Sequence, residues 1–246
     1  MSIRLINKNK NVKYKYNNNK ITVQRLTPAS AANSKIHAPA WIFCLTGDVD
    51  FGPYQRNNIQ RINMEHSMVT THVFIATSLD GFIARQDGDI DWLLQRDTSA
   101  EDHGFDTFIA DKDMILMGRG TYEKVLTFDS WPYDLPVLVL SKQLANEPVP
   151  PALTGKVRFT NLTPKYALEQ LAAQNVHRVY VDGGQLIQSF LREGLISDMV
   201  ITKVPVLLGS GRPLFGSLQQ DIDLKLLSNR SFPSGLVQSH YQVLPQ

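Results

Sequence analysis

Three short stretches of the sequence carry glycine, hydroxyl and basic residues of the kinds that bind phosphate. They are residues 118–121 (GRGT), residues 141–142 (SK) and residues 183–185 (GGQ). Glycine lets backbone N–H groups approach a phosphate closely, and arginine offers a planar fork of donors that matches phosphate oxygens. Each stretch alone is equally well explained as a tight turn or a surface ion pair. Because all three follow predicted buried strands, together they indicate a ligand with several phosphates, such as a dinucleotide.

Several other kinds of site are not indicated. Residues 209–214 (GSGRPL) begin like a Rossmann glycine motif, but the last glycine is missing and Pro213 prevents a long helix, so we interpret them as a loop. The Gly-Lys-Ser or Gly-Lys-Thr triplet of a P-loop is absent. Cys44 is the single cysteine, and the six histidines show neither an HExxH motif nor a pair at helical ligand spacing. We therefore expect no intramolecular disulfide and no metal site.

The composition of the 246 residues is typical of a globular protein. Hydrophobic residues make up 43% and charged residues 20%, which is enough apolar material for a core and too little charge for disorder throughout. No apolar run approaches the roughly 20 residues of a membrane span. We therefore expect a soluble, cytoplasmic protein with no membrane partner.

The net charge of +2 is unevenly divided along the chain. Residues 1–67 hold ten basic and three acidic residues, whereas residues 68–246 hold fifteen basic and twenty acidic ones. The basic segment is rich in asparagine and lacks both periodicity and an aromatic RNA-binding pattern. We interpret residues 1–67 as an N-terminal extension that is largely disordered or a mis-assigned start. A nucleic-acid-binding arm is the less favoured alternative, so nucleic acid is an unlikely partner.

The elements that would position the three stretches alternate between strand and helix. Thr163 and Pro164 mark the start of one helix, whose apolar stripe is Ala167, Leu168 and Leu171. The other predicted elements are strands at 72–78, 113–117, 137–140, 178–181 and 199–208, helices at 121–128 and 184–193, and an antiparallel hairpin of 222–230 and 236–243. This alternation predicts an α/β domain with a mainly parallel sheet, whose ligands would lie at the carboxyl ends of its strands.

Five segments carry a resemblance to a known family. They are FIATSLDGFIA (74–84), MILMGRGTY (114–122), VLVLSK (137–142), VYVDGG (179–184) and PVLLGSGRPLF (205–215). In this order they resemble the dihydrofolate reductase superfamily, and most closely the reductase domain at the C-terminus of the riboflavin-biosynthesis protein RibD and its stand-alone relatives. The resemblance runs from about residue 72 to 244 and implies a three-layer αβα fold with a C-terminal antiparallel hairpin. It also implies a possible homodimer.

The resemblance implies NADPH as the cofactor. Basic residues beside a strand-end hydroxyl favour NADPH over NADH, because only NADPH carries the extra phosphate. The residues expected to contact the cofactor are Ala76, Ile83, Gly118, Arg119, Thr121, Ser141, Lys142, Gly183, Gly184, Gln185 and Leu186.

The sequence departs from the family where the substrate would bind. The riboflavin reductases usually have lysine after SLDG, where this chain has Phe82, and often glutamate before Gly-Gly, where it has Asp182. Phe82 weakens the case for a ribosyl-phosphate substrate. We expect the substrate near Asp80, Phe82, Asp91, Trp92 and Asp182, although Trp92 is at least as well explained as a core residue.

Two carboxyl groups are candidate proton donors. Asp182 is one, and Asp102 is the other, because a gap-free count back from residues 117–119 aligns it with the acid on the first helix of dihydrofolate reductase. Glu101, His103 and Asp106 compete with Asp102 for that assignment, and an ordered water could also supply the proton.

Three functions are compatible with these residues. The first is NADPH-dependent reduction of 5-amino-6-(5-phosphoribosylamino)uracil or a related pyrimidine- or pterin-like heterocycle. The alternatives are dihydrofolate reductase activity and NADPH binding without turnover. The zinc motif of the RibD deaminase domain is absent, so a role in that pathway would be limited to the reduction step.

Overall fold

The computed structural model describes residues 69–96, 98 and 101–245, together with the backbone of residues 6–7, 12–17 and 20–25. These three early stretches are strands β1 (Ile6–Asn7), β2 (Val12–Asn17) and β3 (Lys20–Arg25), which pair antiparallel in that order. The remainder of residues 1–67 lies outside the described residues. The interpretation of residues 1–67 as a largely disordered extension or a mis-assigned start therefore stays a prediction.

The domain is built on an eight-stranded sheet in which six neighbouring strands are parallel. Its strands are β4 (Thr70–Ser78), β6 (Met114–Gly118), β7 (Val137–Leu140), β8 (Val157–Thr160), β9 (Arg178–Asp182), β10 (Asp198–Val204), β12 (Leu224–Ser231) and β13 (Val237–Val243). The spatial order is β12-β13-β10-β4-β9-β6-β7-β8, and only the β12–β13 hairpin is antiparallel to its neighbours. The predicted parallel sheet with a C-terminal hairpin is confirmed.

Two very short strands form a ribbon outside this sheet. They are β5 (Phe82–Ala84) and β11 (Arg212–Pro213), which pair antiparallel. The β5–β11 ribbon was not predicted, because neither strand is long enough to show a periodic pattern.

Helices cover both faces of the sheet. They are α1 (Asp91–Leu94), α2 (Phe105–Ile109), α3 (Arg119–Val125), α4 (Pro164–Ala172) and α5 (Gly184–Arg192). On one face Leu171 of α4 and Phe190 of α5 pack against Leu116 and Val181, and on the other Tyr122 of α3 packs against Met117. Successive strand residues point to opposite faces, so the continuous apolar strands supply both cores and confirm the three-layer αβα arrangement.

Element boundaries differ from the predictions where a local signal was weak. The strand predicted at 199–208 ends at Val204, because Pro205 lacks the N–H needed to continue the ladder. The helix predicted at 121–128 spans Arg119–Val125 instead. Helix α4 begins at Pro164 as predicted, although Thr163 makes no side-chain capping bond. Across the part of the chain that is described, no helix is both long and apolar enough to cross a membrane.

Candidate functional site

The carboxyl ends of four parallel strands meet at one edge of the sheet. Strands β4, β9, β6 and β7 are consecutive neighbours, and the register pairs Met117 with Asp182 and Gly118 with Leu140. The three predicted phosphate-binding stretches follow β6, β7 and β9 directly. The fold therefore brings them together, as expected from the strand order of an open parallel sheet.

Gly183 forms a narrow cradle between the ends of β9 and β6. Its φ of +100° lies in a region that L-residues with a side chain rarely adopt. A Cβ atom at this position would also collide with the hydroxyl of Thr121 and lie 3.8 Å from the backbone nitrogen of Gly118. The chain thus keeps backbone and hydroxyl donors close together here, which suits a phosphate group.

Helix α5 starts at the same edge with unpaired N–H groups. Its first intrahelical bond runs from the N–H of Ile187 to the carbonyl of Gly183, at 2.9 Å. The N–H groups of Gly184, Gln185 and Leu186 lie before this bond and therefore have no acceptor within the helix. The first turn contains no acidic residue. Since the side chain of Leu186 belongs to the core, any contact of that residue with a ligand would use its backbone.

The residues predicted to bind the extra phosphate of NADPH differ in the contacts that their side chains already make within the protein. Ser141 accepts bonds from the N–H groups of Gln143 and Leu144, both at 3.2 Å, which fixes its oxygen at the end of β7. Lys142 beside it is exposed. Arg119, in contrast, points a guanidinium nitrogen at Glu123 on the next turn of α3, at 2.7 Å.

Asp182 is a partly buried carboxyl group at the end of the central strand β9. Burial raises the pKa of Asp182 to about 6, and hydrogen bonds from Tyr180 and from the N–H of Gly183 offset that effect only in part. The hydroxyl oxygen of Tyr180 also lies 3.1 Å from the carbonyl oxygen of Phe74, so its single proton is donated either to Asp182 or to Phe74. No cation among the described residues pairs with Asp182. A carboxyl group of this kind is partly protonated near neutral pH and can act as an acid.

Two tyrosines lie near this carboxyl group, and other aromatic rings pack against them. Burial and then the charge of Asp182 raise the pKa of Tyr133, whose ring meets that of Trp131 edge-on at 5.6 Å. Phe105 and Phe108 of α2 pack against Tyr180, the second tyrosine, with ring centroids 6.2 and 5.3 Å away. This wall of rings suits a flat heterocycle.

Two of the predicted substrate-binding carboxylates support loops. Asp80 accepts bonds from the hydroxyl of Ser78 at 2.6 Å and from the N–H groups of Leu208 and Gly209 at 3.1 and 2.7 Å. The bond from Ser78 is the largest reason that the pKa of Asp80 is lowered. Asp91 pairs with the guanidinium of Arg85 at 2.7 Å, which lowers its pKa as well. Both groups are therefore ionised at neutral pH and are poor proton donors.

The predicted residues Trp92 and Phe82 pack against protein. Trp92 is 4% exposed and belongs to a small core cluster with Val204 and Leu236. It also lines an open cavity of about 380 Å³. Phe82 lies against Gly211, where a Cβ atom would be 3.1 Å from the Cβ of Phe82. Ala76 packs on the Trp92 cluster, and Ile83 packs on the core below α5.

Asp102 lies in the loop before α2 rather than on a helix. Its carboxylate accepts a bond from the N–H of Gly104 at 2.8 Å, and its carbonyl accepts one from Arg230 of the hairpin at 2.9 Å. The neighbouring Glu101 is held by Ser234 through both its backbone N–H and its hydroxyl, at 2.7 and 2.6 Å. These contacts attach the loop to the hairpin, and a catalytic role for Asp102 stays a prediction.

Arg212 is a residue at this edge that the sequence did not single out. Its guanidinium carbon would lie 3.1 Å from a Cβ atom on Gly88, and one terminal nitrogen would lie 3.7 Å from a Cβ atom on Gly120. Its Nε donates to the carbonyl of Gln86 at 3.2 Å. The two glycines leave space for the guanidinium, but they are 32 residues apart in the chain and show no common motif.

Comparison with known proteins finds a matching family and two similar relatives. The family described as the RibD C-terminal domain matches residues 70–238. The uncharacterized proteins YwjB and YyaP of Bacillus subtilis (strain 168) are 35% and 31% identical to the chain over 176 and 186 residues. The two matches cover 70% and 68% of this chain, and 96% and 91% of the relatives.

Solved structures show the same fold. A putative riboflavin biosynthesis protein from Shewanella sp. PV-4 is 39% identical, with a TM-score of 0.68 over 72% of this chain and 99% of that one. RibD from Acinetobacter baumannii is 22% identical, with a TM-score of 0.54 over 72% of this chain and 58% of that one, and this likeness bears on the fold alone.

Proposed function

Because the chain belongs to the RibD C-terminal domain family, we propose that it is an NADPH-dependent reductase. Its substrate would be a pyrimidine- or pterin-like heterocycle that accepts a hydride at a carbonyl or C=N carbon. The observation that carries this proposal is the carboxyl group of Asp182, which ends the central strand among aromatic rings with a pKa raised by burial to about 6.

The residues at the carboxyl edge fit a pyridine nucleotide. The cradle at Gly183, which a Cβ atom would fill, and the free N–H groups at the start of α5 suit its diphosphate. Ser141 accepts two backbone bonds and keeps its own proton for a phosphate oxygen, and Lys142 adds a positive charge for the 2′-phosphate. Ala76 and Ile83 would flank the nicotinamide. When bound, the reduced nicotinamide supplies the hydride.

Asp182 would supply the proton. As the substrate carbon gains a hydride, negative charge develops on the adjacent nitrogen or oxygen, and a protonated carboxyl group can neutralise it. Burial raises the pKa of Asp182 to about 6, so a fraction of the carboxyl groups is protonated near neutral pH and can donate. The neighbouring carboxylates of Asp80 and Asp91 have lowered pKa values and serve the loops around the site.

A thermal-unfolding titration tests the cofactor first. NADPH at about 100 times its dissociation constant should stabilise the fold by roughly 2.7 kcal/mol, and NADH at the same concentration by less. Consumption of NADPH, followed by absorbance, should then depend on a substrate such as 5-amino-6-(5-phosphoribosylamino)uracil or dihydrofolate. If neither nucleotide shifts the unfolding temperature, the proposed function is wrong.

A further inference from the structure

The guanidinium of Arg212 is unlike the other arginines around the site because no acid neutralises it. Arg119 is paired with Glu123, and Arg85 is paired with Asp91, each at 2.7 Å. Arg212 makes a single bond to a backbone carbonyl, that of Gln86, and no described acid forms an ion pair with it. Its two terminal nitrogens therefore keep their donors for a ligand.

The backbone around Arg212 is held firmly in place. The side-chain amide of Gln188 on α5 donates to the carbonyls of Pro213 and Leu214, at 3.1 and 3.2 Å. The N–H of Leu214 in turn donates to the carbonyl of Gly81 at 3.0 Å. The β5–β11 ribbon is thus fastened both to α5 and to the turn after β4, so Arg212 starts from a rigid base.

The side chain of Arg212 extends from the β5–β11 ribbon, which lies near the end of β9, towards the end of β6. The carbonyl of Pro213 lies 3.1 Å from where a Cβ atom of Gly184 would be, so the ribbon touches the start of α5 beyond β9. The guanidinium ends beside Gly120, in the segment that follows β6. Arg212 and Pro213 therefore lie beside Gly120 and Gly184, the chain neighbours of Thr121 and Gly183, which form the Gly183 cradle.

We propose that Arg212 is the cation that binds the diphosphate of the pyridine nucleotide, an inference that rests on the proposed function. A guanidinium binds phosphate oxygens through two parallel donors, and the glycines at positions 88 and 120 leave it room to do so. The 2′-phosphate belongs elsewhere, at Ser141 and Lys142, because they follow β7, which lies one strand further along the sheet.

This assignment makes a specific prediction about nucleotide selectivity. NADPH and NADH carry the same diphosphate and differ in the 2′-phosphate. Loss of a charge-assisted contact to the diphosphate should therefore weaken both nucleotides by the same factor, roughly 10- to 100-fold. Loss of Lys142, by contrast, should weaken NADPH more than NADH.

The test is a binding titration of the full chain with NADPH and with NADH, followed by nucleotide fluorescence. Arg212→Ala should weaken both by the same factor and Arg212→Lys by less. The matched control is Arg192→Ala, an exposed arginine at the far end of α5, which should leave both affinities unchanged. Equal affinities in wild type and Arg212→Ala, or a loss confined to NADPH, would overturn the proposal.

The outcomes separate this inference from the proposed function. If the wild-type chain binds neither nucleotide, the proposed function has failed. If it binds them and Arg212→Ala binds them equally well, only the role of Arg212 has failed. Arg212 is exposed, so its replacement should not lower the unfolding temperature, and Arg212→Gln, which can still donate to Gln86, repeats the comparison.

Discussion

Two aspartates of the central sheet lie at its opposite edges and differ in their partners. Asp182 ends β9 at the carboxyl edge, and Asp198 begins β10 at the amino edge. Asp198 meets the ring nitrogens of His72 at 2.6 Å and of His240 at 3.2 Å. Burial opposes its ionisation, but the bonds and charges of the two histidines outweigh burial and hold the pKa of Asp198 below its ordinary value. Burial raises the pKa of Asp182, which has no such partner.

The comparison distinguishes a carboxylate that stabilises the fold, Asp198, from a carboxyl group whose raised pKa suits proton transfer, Asp182. Both side chains are partly buried and both sit on strands of the same sheet. Paired with histidine, the carboxylate ties three strands, β4, β10 and β13, together. Buried without a cation partner among the described residues, the carboxyl group of Asp182 has its pKa raised to about 6. The difference in partners therefore indicates that chemistry belongs to the carboxyl edge, independently of any resemblance.

The largest expected effect is on catalysis by Asp182→Asn. An amide has the same shape but cannot donate an acidic proton, so the rate of substrate-dependent NADPH oxidation should fall by roughly 10² to 10⁴. The affinity for NADPH should change by less than about threefold, because Asp182 is not among the residues expected to bind its phosphates. The matched control is Asp198→Asn, assayed well below its unfolding temperature, which should keep the wild-type rate. An active Asp182→Asn variant would remove Asp182 from the mechanism.

The same substitution should stabilise the protein at alkaline pH. The pKa of Asp182 rises from 3.8 to about 6 on folding, so the protonated carboxyl group favours the folded state. Its contribution to the free energy of unfolding is complete below pH 3.8 and is lost as the pH rises through 6. At pH 8 the ionised group should destabilise the fold by about 3 kcal/mol, a penalty that asparagine avoids. Urea unfolding of Asp182→Asn should show this gain at pH 8 and little of it at pH 4. A gain of the same size at both pH values would contradict this explanation.

The opposite sign is expected at the other edge of the sheet. The pKa of Asp198 is lowered from 3.8, so its stabilising contribution is present above that value and is lost as pH falls through the folded pKa. Asp198→Asn should therefore lower the free energy of unfolding by about 2 kcal/mol at pH 7, a value reduced for its partial exposure. Once the pH has fallen below the folded pKa of Asp198, the variant and the wild type should converge. Thermal or urea unfolding across this range would show whether they do.

The smallest effect concerns the hydroxyl of Tyr180. Its hydrogen bond lowers the pKa of Asp182 and offsets part of the effect of burial. Tyr180→Phe should therefore raise that pKa further and shift the alkaline decline of the rate by up to about one pH unit towards higher pH. Tyr122→Phe, which removes another buried hydroxyl on the same face, should leave the profile in place. A shift towards lower pH would mean that Tyr180 stabilises the protonated form instead.

The fold was largely predictable because its signals are local. The buried strand at 113–117 is a run of apolar residues, and the start of α4 is marked by Thr163 and Pro164. Strand β8 was missed, because its sequence VRFT contains Arg158 and does not form the continuous apolar run that marked the equally short β7. The positions of Gly183 and Asp182 followed from their place after a predicted strand.

Parts of the candidate site depend on contacts between distant segments and could not be read locally. The pKa of Asp182 depends on burial by aromatic side chains, including Tyr133, which is almost fifty residues earlier in the chain. Arg212 reaches the site through a ribbon of two short strands that pair across 128 residues. The pairing of Arg119 with Glu123 was not predicted either, because the helix was expected to begin at residue 121 and the structure starts it at Arg119.

The close contact at Gly184 links the evolution of three segments. A Cβ atom there would lie 2.8 Å from the side-chain end of Ile83 and 3.1 Å from the carbonyl of Pro213. A mutation to alanine would therefore require the end of the Ile83 side chain to move aside and the Pro213 carbonyl of the ribbon to shift by a few tenths of an ångström. Such a shift would move Arg212 as well, so drift at one buried glycine would change the entrance of the site without altering any residue that lines it.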